Sequence, residues 1–304
     1  MTREELNQEI QNEIEKEKKG ERKRKIIKII IKAIAFLLIF SFVFYSYTTY
    51  ISTVKIEVRE YSIADEKIPT TFNGLKIIQL SDIHYGSTIF IDKIKEIKKM
   101  TNIRKPDIVV FTGDLLDKTY NLSAKEQESL INELKEIKAS LGKYAIFGDE
   151  DNEKISTIFN QSNFTILRND YDLIYQDENT PILLIGVSSN KKEQDIEKAY
   201  SYFNQESYNS NIYTITLLHE PDTVDTILSN HSTDLFLAGH SHNGNIRIPF
   251  INKSLSKVEG AKKYDQDFYQ INHSKLYISS GLGTKNGIRL FCRPSINFYR
   301  LSNK

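Results

Sequence analysis

Leu75-Lys76-Ile77-Ile78-Gln79-Leu80-Ser81-Asp82-Ile83-His84 is an apolar segment of strand length that ends in a carboxylate and an imidazole two residues apart. The same event recurs downstream. Asp107-Ile-Val-Val-Phe111 runs into Thr112-Gly113-Asp114, and Lys143-Tyr-Ala-Ile-Phe147 runs into Gly148-Asp149-Glu150-Asp151-Asn152. Ile212–Leu218 delivers His219, and Leu235-Phe-Leu-Ala238 delivers Gly239-His240-Ser241-His242. Short apolar runs bounded by such residues are the pattern of buried parallel strands, and ligands of open α/β sheets gather at the carboxyl ends of those strands.

Collected, the tips are Asp82, His84, Asp114, Asp149, His219, His240 and His242. Singly, each has an ordinary structural role: an Asp can cap a helix, and a His can sit satisfied in a core. Together they form a mixed nitrogen and oxygen set, which suits Mn, Fe, Zn or Co better than calcium. Seven donors exceed one tetrahedral ion, whereas two divalent ions roughly 3.5–4 Å apart, bridged by a carboxylate, use them all. Four of the six histidines belong to this set, and His231 and His273 do not.

The remaining chain supplies scaffold and address. Its 304 residues suffice for one large α/β domain, and a net charge of +1 makes no case for nucleic acid as a partner. The single cysteine, Cys292, excludes an intrachain disulfide. Residues 1–32 are charged, with a polar helix expected over 4–21 as a mobile tail, and six basic residues without an acid across 22–32. Residues 33–54 carry no charge, and at about 1.5 Å per residue they span roughly 33 Å, enough to cross a bilayer core. Tyr45, Tyr47 and Tyr50 fall where an aromatic belt would lie, and no small-residue cleavage site follows. The expectation is an uncleaved single-pass anchor in the cell membrane. Positive-inside bias keeps 1–32 cytoplasmic and puts 55–304 outside the cytoplasm. No protein partner is implied.

From residue 54 the pattern is globular. Val54–Tyr61 alternates with period two as a half-buried strand, and Asn73-Gly74 marks a turn. Helices are expected over 91–102, over 123–140 with Ser123 and Glu126 as a capping box, and over 191–207. Further strands are expected over 182–187, 276–279 and 296–301. Strands alternating with helices, then a strand-rich tail, predict one α/β domain over 55–304 built on packed sheets.

Asp82-x-His84, Gly113-Asp114, the Gly148 turn, His219 and Gly239-His240-x-His242, in that order, resemble the calcineurin-like metallophosphoesterase family over roughly residues 70–300. The Gly239–Gly244 run, Ser280-Gly-Leu-Gly-Thr284 and Ile288–Pro294 are similar to its bacterial membrane-associated branch, the YkuE/YaeI type. The resemblance implies a four-layer α-β-β-α sandwich. It implies that Asp82, His84, Asp114 and His242 hold one metal, with Asp114 bridging to a second that His219 and His240 also hold. It further implies hydrolysis of a phosphate ester or pyrophosphate by a metal-activated hydroxide, with His219 and His240 stabilising charge. Arg289 and Arg293 are candidates for substrate phosphate contacts, with surface salt bridges as the alternative.

One departure stands out. The family pattern has Gly-Asn-His-Glu/Asp where this chain has Gly148-Asp149-Glu150-Asp151. Asp149 retains a ligand atom, with Asn152 as the alternative donor. Glu150 takes the place of the proton-donating histidine, although a carboxyl with a reference pKa of about 4.3 is mostly ionised at neutral pH. Three consequences stay open: leaving groups that need no proton, a Glu150 pKa raised by its surroundings, or low activity. The substrate is then a phosphorylated small molecule or a lipid or cell-envelope phosphate. The rival reading is a membrane-tethered metal-binding module with weak or lost catalysis.

Overall fold

The computed structural model describes all residues except 1, 190–193, 206–208, 210, 248–256 and 285–286. The chain divides into two compact units, residues 1–48 and 49–304. In the first, helix α1 runs unbroken from Arg3 to Ser46, so the charged and apolar parts of the N-terminal region form one helix with no break at residue 32. Phe36, Leu38 and Phe42 are all more than 60% exposed, and the apolar stretch has no polar face. This is the one helix, among the described residues, long and apolar enough to cross a membrane.

The second unit holds two six-stranded sheets. The first contains β1 (Glu57–Ala64), β2 (Lys76–Leu80), β3 (Ile108–Thr112), β4 (Gly142–Ile146), β5 (Thr165–Ile166) and β12 (Ser295–Ser302), in the order β1-β12-β2-β3-β4-β5. The second contains β6 (Asp170–Ile174), β7 (Ile182–Gly186), β8 (Thr214–Leu218), β9 (Leu235–Ala238), β10 (Phe268–Ile271) and β11 (Ser274–Ile278), in the order β10-β11-β9-β8-β7-β6. β2, β3 and β4 are mutually parallel, as are β7, β8 and β9. Leu80 lies opposite Phe111, Thr112 opposite Ile146, and Leu218 opposite Ala238, so the tips finish level.

Alternation along each strand makes the layers. Ile78, Leu80, Val109 and Phe111 face α2 (Ile91–Ile103), α3 (Ala124–Lys135) and α4 (Glu153–Gln161), whose Ile97, Leu130 and Phe159 share that core. Ile77, Ile108, Val110 and Ile146 meet Leu184, Ile215, Leu217 and Leu237 between the sheets. Leu183, Ile185, Phe236 and Leu276 pack on α5 (Ile196–Ala199) and α6 (Thr223–Asn230). The order is helices, sheet, sheet, helices, which is the expected sandwich.

The boundaries moved where capping was tertiary. The Ser123–Glu126 capping box is present. Helix α3 nevertheless stops at Lys135 rather than 140, because Asn102 of α2 donates to the Glu136 carbonyl and accepts from the Lys138 amide, ending the helix from outside. Of the helix expected over 191–207, only α5 and a short turn at Ser201–Asn204 lie in the described residues. Helix α4 was not expected, although Asn152 caps it with a side-chain oxygen to the Lys154 amide and Ile155, Ile158 and Phe159 mark its buried face. Asn152 therefore serves as a cap. Also unforeseen were α6, β5, β6 and β10.

Gln79 joins the layers. Its amide nitrogen donates to Thr112 Oγ1 at 2.9 Å and to the Ala238 carbonyl of the other sheet at 2.8 Å, and its oxygen accepts from Tyr299 Oη at 2.7 Å. Gln79→Leu leaves the buried Tyr299 hydroxyl without an acceptor, at about 1–3 kcal/mol, and removes one partner each from Thr112 Oγ1 and the Ala238 carbonyl, which keep Ser81 and the Ser279 amide. We expect a loss of roughly 3 kcal/mol, read in thermal unfolding as a Tm fall of about 6–12 °C.

Candidate metal centre

The level strand tips bring the seven predicted donors together. One ligand atom each from Asp114, Asp149, His219 and His240 lies within 4.8 Å of the others, and the same holds for Asp82, His84 and His242. Asp114 lies between the two groups. Its Oδ2 is 3.4 Å from His219 Nε2 on one side and 3.7 Å from His84 Nε2 on the other.

Hydrogen bonding decides which nitrogens face inward. His219 Nδ1 is 2.7 Å from the Thr112 carbonyl, and His240 Nε2 is 2.7 Å from the Glu259 carbonyl. A carbonyl only accepts, so each of those nitrogens carries the proton. In a neutral ring the opposite nitrogen presents a lone pair. His219 Nε2 and His240 Nδ1 lie 3.1 Å apart, and 3.3 and 3.2 Å from Asp149 Oδ1. Donor atoms from two imidazoles and two carboxylates thus face one another, an arrangement that could hold a cation. In the second group His84 Nε2 lies 3.2 Å from His242 Nε2, which is 3.6 Å from Asp82 Oδ1. The donor chemistry fits two divalent ions.

The electrostatics agree. Burial lowers the proton affinity of His219, but Asp114, Asp149 and Asp82 outweigh it and push its pKa well above the usual imidazole value. Asp82 is pushed up by burial, while His219 and His84 overcome burial at Asp114 and lower it. The pocket draws positive charge, and two divalent ions supply more of it than protons can.

The backbone is bent to present these groups. Asp82, His84, Asp114, His240 and His242 have φ of 50°, 44°, 60°, 65° and 45°, left-handed values that cost a non-glycine residue roughly 1–2 kcal/mol. They are clamped by the Asp82 amide to the Gly113 carbonyl at 2.9 Å, the His84 amide to the Asp114 carbonyl at 3.1 Å, and the His240 amide to Asp82 Oδ1 at 3.0 Å. Two glycines leave room: a Cβ at Gly148 would lie 2.2 Å from Asp114 Oδ1, and one at Gly239 would lie 2.2 Å from Ser81 Oγ.

Several residues support the donors without belonging to the donor set. Asp151 is fully buried, and its carboxylate accepts the amides of Asp114 and Gly148 at 2.8 Å and of Leu115 at 2.9 Å. It ties the tip of β3 to that of β4. Burial and the charge of Asp114 raise its pKa to about 7. Ser81 Oγ donates to Asp82 Oδ2 at 2.5 Å and accepts from Thr112 Oγ1 at 2.8 Å. The signal for both was a polar residue beside an apolar run.

One expectation needs correction. Arg289 is fully buried, so it makes no surface salt bridge and lies away from solvent. Its guanidinium donates to the carbonyls of Ser280, Gly281 and Gly283 at 2.8, 3.1 and 2.6 Å. That loop in turn donates through the Leu282 and Gly283 amides to the Ser81 and Asp82 carbonyls. Arg289 thus braces the loop behind Asp82, and Arg293 is exposed. Glu150 lies beside His84. Its Oε2 lies 3.2 Å from His84 Nδ1, its amide donates to Asp114 Oδ1 at 3.0 Å, and Lys118 Nζ is 3.8 Å from Oε1. His231, outside the donor set, pairs with Glu197 at 3.0 Å.

Comparison with known proteins accords with this geometry. The calcineurin-like phosphoesterase family model matches residues 75–244. The metallophosphoesterase YkuE of Bacillus subtilis is 29% identical over 268 residues, covering 85% of this chain and 90% of that one. The phosphodiesterase YaeI of Escherichia coli is 26% identical over 235 residues, covering 74% and 82%. The UDP-2,3-diacylglucosamine pyrophosphatase LpxG of Chlamydia muridarum is 27% identical over 295 residues, covering 78% and 87%.

Asp151→Asn would turn an amide NH2 toward backbone N–H groups that now meet a carboxylate. At least one of the three amides loses its acceptor, at about 1–3 kcal/mol. Thermal unfolding of the variant should show a Tm lower by roughly 2–12 °C. Calorimetric titration should show Mn²⁺ bound about tenfold or more weakly, as for other groups that orient metal ligands. Unchanged metal affinity would mean that the Asp151 clamp does not position Asp114.

Proposed function

The chain belongs to the calcineurin-like phosphoesterase family of metal-dependent phosphoric ester hydrolases, and from that premise we propose a membrane-anchored enzyme with two divalent cations that cleaves a phosphate ester or pyrophosphate bond. The observation that carries this reading is the meeting of the two donor groups at Asp114. In it, Asp82, His84, His242 and Asp114 hold one ion, and Asp114, Asp149, His219 and His240 hold the other. Bound there, the ions supply Lewis acidity toward a water and toward the phosphoryl oxygens. The protein groups do the rest. The Thr112 and Glu259 carbonyls fix the tautomers of His219 and His240, so both rings aim lone pairs inward. Glu150, beside His84 Nδ1, orients that ring and favours Nε2 as its ligand atom.

The anchor in this reading is residues 33–54 within α1, with 1–32 cytoplasmic and the hydrolase unit outside. Its support is the apolar length of the helix and the basic block across 22–32. The relative named as a pyrophosphatase of a diacylated nucleotide sugar lends support to a substrate at or near the membrane.

The full chain in detergent, loaded with Mn²⁺, should hydrolyse p-nitrophenyl phosphate or bis(p-nitrophenyl) phosphate. Chelation should abolish turnover, and Asp114→Asn should lower kcat by about a hundredfold or more, since it removes the shared ligand. Two bound metals with no turnover of either ester or of pyrophosphates would favour the binding-module reading instead. For topology, Cys292 is buried and leaves a quiet background. In intact cells, an impermeant maleimide should label Glu128→Cys and spare Glu13→Cys. The reverse pattern would overturn the orientation and leave the chemistry untouched.

A further inference from the structure

A cavity of about 430 Å³ opens directly beside the metal centre, within the range of small-molecule sites. Asp117 and Glu150 form its inner wall, and each offers a carboxylate oxygen within 4.8 Å of a His84 nitrogen. Lys118 and Lys154 line it, together with Tyr120 and Gln127.

The charges on this wall are unequal in availability. Asp117 Oδ1 accepts the Thr119 amide at 2.9 Å and the Thr119 hydroxyl at 2.5 Å. Glu150 is turned to His84, with Lys118 3.8 Å behind it. Tyr120 donates its hydroxyl to Glu126. Lys118 is 69% exposed, and Lys154 makes no ion pair among the described residues. Both ammonium groups line the cavity, and they suit an anion rather than a neutral alcohol.

We propose that this cavity is the leaving-group pocket, that Lys118 and Lys154 recognise a leaving group which is itself a phosphate, and that the preferred bond is therefore a pyrophosphate. The inference rests on the hydrolase reading of the metal centre. A water oxygen bonds to the phosphorus, and the bond from that phosphorus to the bridging oxygen breaks. The electron pair departs with the second phosphate as its anion, and the proton of the attacking water passes to solvent. No wall residue has to supply a proton.

ADP and AMP form a matched test, because loss of the terminal phosphoryl group expels a phosphate from ADP and an alcohol from AMP. The full chain with Mn²⁺ should show kcat/KM for ADP at least about tenfold above that for AMP, and Lys118→Gln/Lys154→Gln should lower that ratio about tenfold. The double arginine variant should keep the ratio. Both lysines are exposed, and Tm reports whether the variants fold. An ADP/AMP ratio near one, or a ratio that the glutamine variant leaves unchanged, overturns the pocket assignment. Chelator-sensitive turnover of p-nitrophenyl phosphate reads the metal centre separately. If it persists while the ratio fails, only the pocket falls, and if it is absent, both readings fall.

Discussion

A single directed chain of hydrogen bonds runs from the packed sheets to the metal centre. Tyr299 donates to Gln79, Gln79 to Thr112, Thr112 to Ser81, and Ser81 to the carboxylate of Asp82. Every link is buried, so each group left unpaired would cost desolvation energy that nothing returns. The same Thr112 receives the His219 proton on its carbonyl. Gln79 also reaches Ala238 at the end of β9, one residue before the turn that presents His240 and His242. The spacing between the sheets and the aim of the ligands are therefore set by one network.

That network holds strain as well as charge. Five of the seven proposed ligands have left-handed backbone, a conformation that these residues avoid when free. The clamps are local amides plus the buried carboxylate of Asp151, which takes three N–H groups from two strand tips. Arg289 performs the matching task for the loop behind Asp82, its charge dispersed over backbone carbonyls. A buried cation and a buried anion thus stiffen opposite sides of the centre through backbone contacts, and neither is placed as a ligand.

Parallel topology explains why the chemistry collects on one edge. β2, β3 and β4 in one sheet and β8 and β9 in the other point their carboxyl ends the same way in level register. Residues far apart in sequence, such as Asp114 and His219, then approach within 3.4 Å. The cavity lined by Lys118 and Lys154 lies on the β3 and β4 side of that edge, where the loops before α3 and α4 begin.

Much of this was legible in the chain itself. Apolar runs of strand length ending in Asp or His marked β2, β3, β4, β8 and β9 and all seven proposed ligands, because burial between layers imposes apolar residues and a tip must break that pattern. The capping box at Ser123 and the uncharged span of residues 33–54 are equally local signals. Tertiary structure alone decided which of these donors cluster together, that Asp114 lies between the two clusters, and that Glu150 faces His84. It also decided that Arg289 is buried and that Gln79 and Asp151 are structural keystones. Periodicity along one segment records which face is buried; it carries no record of which distant strand lies across from it, and every one of those pairings spans strands or sheets.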